Sequence, residues 1–76
     1  MKIEGKRVKR TRWVPGGDYV VEVEVEAVIP AEDPSEPCYE PDVVQLLREV
    51  QQRARAGDLP WLRRVGKVYK LVQAGA

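Results

Sequence analysis

The sequence predicts one small α+β domain: a three-stranded, mostly antiparallel sheet in β-β-α-β order, with one main helix packed on one of its faces. Three observations carry that prediction. A two-residue alternation of apolar and polar side chains runs through residues 19–29, a glycine-bearing turn stands just before it, and a one-sided apolar stripe at helical spacing fills residues 43–54.

Residues 2–29 read as a hairpin. In the second strand Tyr19, Val21, Val23, Val25, Ala27 and Ile29 alternate with Val20, Glu22, Glu24, Glu26 and Val28, which is a strand with one buried and one wet face. Val14-Pro15-Gly16-Gly17-Asp18 supplies the turn. The partner strand, residues 6–14, is less regular, because Val8 and Val14 share one parity and Trp13 has the other. A bulge near Gly5 or within Arg10-Thr11-Arg12 would reconcile them. Two registers fit the charges. One pairs Arg10 with Glu22 and Lys6 with Glu26; the other pairs Lys9 with Glu24 and Arg7 with Glu26.

Residues 30–40 hold Pro30, Pro34 and Pro37 among acids and read as an extended linker. Pro41 suits a first helical position, with Asp42 at the positive end of the helix dipole. Val43, Leu46, Leu47, Val50 and Ala54 then form the apolar stripe, and Gly57 stops a helix over residues 41–56. Asp58 caps a short helical turn through residue 65, and residues 67–73 read as the third strand. The stretch between the second and third strands is long enough for a crossover. The last strand is therefore expected parallel to the second and beside the first, in spatial order 2-1-3.

A chain of 76 residues buries only about 60% of the surface its unfolded form exposes, so small domains lean on disulfides, metals or oligomerisation. Cys38 is the sole cysteine and there is no histidine, which excludes a disulfide framework and a Cys/His metal site. A homodimer is the aid that remains. No window approaches the roughly 18 apolar residues that span a bilayer, and Met1-Lys2-Ile3-Glu4-Gly5-Lys6 lacks the apolar core of a secretory signal. With one lone thiol, a cytoplasmic protein is expected. The absence of Asn, with abundant Glu, Arg and Val, fits either a thermophilic source or a GC-rich genome.

Charge is sorted along the chain. Residues 1–17 carry six cations against Glu4 alone, residues 18–42 carry nine acids and no base, and residues 43–76 carry seven cations against Glu49 and Asp58. Either the basic and acidic strands neutralise each other in the hairpin, or they leave a basic surface for an anionic partner. The first is the default reading.

No catalytic residue, cofactor site or metal site is expected, and no small-molecule substrate is implied. Cys38 stands among Glu36, Glu40 and Asp42, which oppose thiolate formation. The acidic run 32–42 has prolines where a calcium loop needs a glycine. Glu22, Glu24 and Glu26 face cations that keep them ionised, which does not suit acid–base work. Trp13 and Trp61 are expected in the core, since no Phe is present to supply aromatic bulk. What remains is contact chemistry. The expected function is a non-enzymatic protein-interaction or assembly module, acting on a protein partner or on itself as a homodimer, through sheet edges that a three-stranded sheet leaves open. The alternative is nucleic-acid binding. Candidate contact residues for either are Lys9, Arg10 and Arg12 on the hairpin, with Arg48, Gln52 and Arg55 on the helix.

Overall fold

A computed structural model describes residues 4–72. The order is β1 (Gly5–Gly16), β2 (Tyr19–Pro30), α1 (Pro41–Ala56), α2 (Leu59–Val65) and β3 (Lys67–Lys70). The α+β class, the long hairpin and the bounds of α1 agree with the sequence pattern. The expected start of the hairpin at residue 2 and the expected end of the third strand at Gln73 lie outside the described residues, as does the tail 74–76.

The hairpin ladder is longer and differently registered than either charge-matched alternative. Pro15 and Gly16 belong to β1, so only Gly17 and Asp18 form the turn, with Gly17 at φ 58°. That shifts the register: Trp13 lies opposite Glu22, Thr11 opposite Glu24 and Lys9 opposite Glu26, one-to-one from Gly5 to Gly16. No bulge interrupts it. The mixed parity of β1 therefore resolves by exposure and not by distortion. Its even residues share the helix-facing side, and Trp13 stands on the other face beside the Glu row, 56% exposed. Trp13 is thus not core, contrary to expectation.

The strand order is also corrected. The sheet runs β1-β2-β3, and β3 pairs antiparallel with β2, Tyr19 opposite Lys70 and Glu22 opposite Lys67. α1 returns from the open end of the hairpin to the turn, where Gly16 touches it. A Cβ on Gly16 would come within 2.8 Å of Ala54 Cβ and of the Gln51 carbonyl oxygen. A strand starting there would run parallel to β2. α2 instead carries the chain part of the way back, to Gly66 beside Glu22, so β3 enters in the opposite sense.

The core is one small cluster: Val21, Val23 and Val25 of β2, Val14 of β1, Val50 and Ala54 of α1, and Leu62 of α2. Tyr39, Val43, Leu46, Leu47 and Trp61 pack around it, so the α1 stripe and Trp61 take their expected places. The linker is held more firmly than a free crossover. Cys38 and Val28 exchange two backbone hydrogen bonds, 2.8 and 2.7 Å. Glu40, only 8% exposed, accepts from both Nη atoms of Arg7 at 2.6 and 3.1 Å. Asp58 caps α2 by accepting from the Trp61 N–H at 3.4 Å. Arg53 joins the two helices, donating to Asp58 at 2.8 Å and Glu49 at 3.0 Å while its guanidinium lies 4.8 Å from the Trp61 ring centre. No described helix is long and apolar enough to cross a membrane.

Candidate functional site

β1 is an edge strand, and the ladder geometry shows which of its backbone groups are open. In an antiparallel pair, successive residues point their N–H and C=O alternately toward the partner and away from it. Val28 spends both groups on Cys38, on the side of β2 away from β1, so even-numbered residues of β2 face away from β1. Their opposite numbers in β1 do the same on the other side. Arg7, Lys9, Thr11 and Trp13 therefore direct their N–H and C=O outward, along the free edge. Glu4 and Ala31, whose backbone bond of 3.2 Å continues the inward phase, agree with this parity. Pro15 sits in the outward phase as well, where its missing N–H costs the ladder nothing. Among the described residues only two side chains reach this edge: Arg10 Nη1 donates to the Lys9 carbonyl at 3.2 Å and Gln51 Nε2 to the Pro15 carbonyl at 3.5 Å.

Beside this edge, between β1 and α1, runs an open groove of about 280 Å³. β1 lines it with Arg12, Trp13, Val14 and Pro15. α1 contributes Val44, Leu47, Arg48 and Gln51, with Val44 38% exposed. Its lining is mostly apolar, includes the two arginines and Gln51, and holds no carboxylate.

The cations of β1 divide by parity. On the Glu face, Arg7 pairs with Glu26 at 2.6 Å as well as with Glu40, and Lys9 reaches Glu24 at 3.7 Å. The hydrogen bonds to Glu40 and Glu26 hold the Arg7 guanidinium well above its ordinary pKa. The pairs Arg7–Glu26 and Lys9–Glu24 anticipated from the charges do form, but diagonally across the ladder. On the helix side, Arg12 lies 5.3 Å from the Tyr39 ring centre and donates to its hydroxyl at 3.4 Å. Among the described residues no carboxylate pairs with Arg10, Arg12 or Arg48.

Of the six candidate contact residues, Arg12 and Arg48 are brought together by the groove, and Arg10 stands on the same strand row as Arg12. Lys9 belongs to the opposite face. Gln52 and Arg55 are exposed on α1 but do not line the groove. Sequence reasoning missed Trp13, Pro15, Val44 and Gln51. The parity of Trp13 was the available signal for the first; Val44 lies off the helical stripe and gave none.

The open sheet face also carries an aromatic contact. Trp13 and Tyr69 have ring centres 5.7 Å apart, and the Tyr69 hydroxyl donates to Glu22 at 3.2 Å. Among the described residues no group of Cys, Asp or Glu has the arrangement of a metal site, and Cys38 is a free, half-buried thiol. Comparison of the chain with protein-family models, with curated proteins and with solved structures found no match.

Proposed function

We propose that this chain is a non-enzymatic protein-interaction module that takes up an extended segment of its partner as an added strand along β1. The observation that carries the reading is the outward-facing N–H and C=O of Arg7, Lys9, Thr11 and Trp13 on a twelve-residue edge strand. Unpaired strand edges supply affinity through main-chain hydrogen bonds, and flanking pockets supply selectivity through alternate side chains. Proteins usually blunt such an edge with brevity, bulges or cover. This one is long and regular, with only charge and Pro15 to restrain it. A single unpaired thiol supports a reducing, cytoplasmic setting.

The test is selection of a displayed random-peptide library on the immobilised chain, followed by amide hydrogen exchange with a selected peptide bound. The N–H groups of Lys9 and Thr11 are expected to slow, while those of Arg10 and Arg12, already committed to β2, change little. Protection confined to other elements removes the reading.

Two other forms of contact have some support. A homodimer built on the open face would cover Trp13 and Tyr69, 56% and 45% exposed. Light scattering across concentrations checks it. Nucleic-acid binding is favoured by one observation: Arg10, Arg12 and Arg48 lack carboxylate partners among the described residues, and Arg12 and Arg48 line one groove. Oligonucleotide binding that weakens steeply with salt is its signature.

A further inference from the structure

We infer that the segment received by β1 is acidic on its inward row: an apolar side chain at the level of Val14, then carboxylates at the levels of Arg12 and Arg10. The inference rests on the strand-addition reading and names the occupant.

A strand added at this edge alternates its side chains between the two sheet faces. On the helix side it runs past Val14, Arg12, Arg10 and Val8 in turn. At the Val14 end its inward side chain enters the groove against Val14, Val44 and Leu47, which suits a large apolar residue. Two residues on, the next inward side chain lies beside Arg12, with Arg48 across the groove. Two further, it lies beside Arg10. These cations have no carboxylate among the described residues, whereas Arg7 and Lys9 on the other face already do. Among the described cations of β1, those without a carboxylate partner, Lys6, Arg10 and Arg12, are thus all on the inward row, and opposite charges side by side in a ladder stabilise it.

The same geometry disfavours a second copy. β1 against β1 would set arginines and lysines beside their own kind. The acidic stretch 31–37 of another copy contains Pro34 and Pro37, which interrupt the donors a continuous ladder needs. A polynucleotide backbone also fits the edge less well, because phosphates only accept, while β1 presents donors and acceptors in alternation.

Fluorescence anisotropy with a labelled peptide of about ten residues, centred on leucine-threonine-glutamate-threonine-glutamate, provides the test. Binding is expected to weaken about tenfold or more when the glutamates become lysines, or when the chain carries Arg12→Glu or Arg48→Glu. The lysine peptide should regain affinity for Arg12→Glu. N-methylation of alternate peptide residues should abolish binding in one phase and spare it in the other. Circular dichroism verifies that each variant folds, and Arg48→Glu, on the helix surface, backs up the strand variant. Equal binding of acidic and neutral peptides, unaffected by either variant, overturns the acidic occupant. The strand-addition reading survives that result if Lys9 and Thr11 amides are protected, and fails with it if no peptide protects them. Tighter binding of a single-stranded thymidine oligonucleotide than of any peptide, lost in Arg48→Glu, replaces the proposal with the nucleic-acid reading.

Discussion

Arg12 and Trp13 are neighbours in the chain, yet the pleat sends one toward the helices and the other to the open face. Trp13 is 56% exposed and packs against the Tyr69 ring at the Glu22 level of the ladder. Trp13→Ala is therefore expected to cost about 0.5–1.5 kcal/mol in urea unfolding, well below the loss for a core aromatic. Its position was legible, because Val8 and Val14 fix the inward parity and Trp13 breaks it. An expectation that every large ring must be buried overrode that signal. Asp58 gives a second residue-scale prediction. Its hydrogen bond from Arg53, helped by the Trp61 N–H, makes the folded-state carboxyl more acidic than usual. The unfolded chain then takes up the proton first, so the stabilisation is complete above an unfolded carboxyl pKa of about 3.9. It disappears as pH falls through the folded value. Asp58→Asn should lower the melting temperature at pH 7 and reduce the fall in melting temperature between pH 5 and pH 2. An unchanged acid profile would place the acid sensitivity elsewhere.

Among the elements, α1 was legible to its last residue, because Pro41, the apolar stripe and Gly57 are local signals that agree. β3 was not. Its neighbour depends on where α2 delivers the chain, and α2 looks in sequence like a mere turn after Gly57. The hairpin register failed for a related reason: charge matching offered two solutions, whereas the two-residue turn decided the outcome. β1 carries the element-scale prediction. Thr11 lies in the outward phase, so Thr11→Pro removes an edge donor without removing a bond to β2. The variant should keep its circular dichroism spectrum and lose strand-adding partners by about tenfold or more. Thr11→Val, which keeps the N–H, should bind normally. Equal binding by both variants would show that the edge backbone takes no part.

At the scale of the whole molecule, a cluster of seven buried residues among those described joins the sheet to both helices. Domains of this size are stable by roughly 0.05–0.15 kcal/mol per residue. Leu62 is fully buried where α2 meets the sheet, and Leu62→Ala is expected to cost about 2–5 kcal/mol, enough to populate the unfolded state in mild urea. A loss below about 1 kcal/mol would mean that α2 is dispensable to the core. At this scale the class, α+β with one covered face, was readable from patterning alone. The groove was not, since it joins residues 12–15 to residues 44–51 and exists only once the hairpin register and the helix docking are both set.

The two margins of the sheet are unequal: twelve residues on β1, four on β3. Polymerisation through strands needs a competent acceptor at each end of every subunit. Here the short margin leaves each subunit one long acceptor edge of its own, and the edge that an added segment exposes in turn lacks the groove beside α1. Calorimetric titration should accordingly saturate at one segment per chain, and the occupied protein should remain a discrete particle rather than seed fibres.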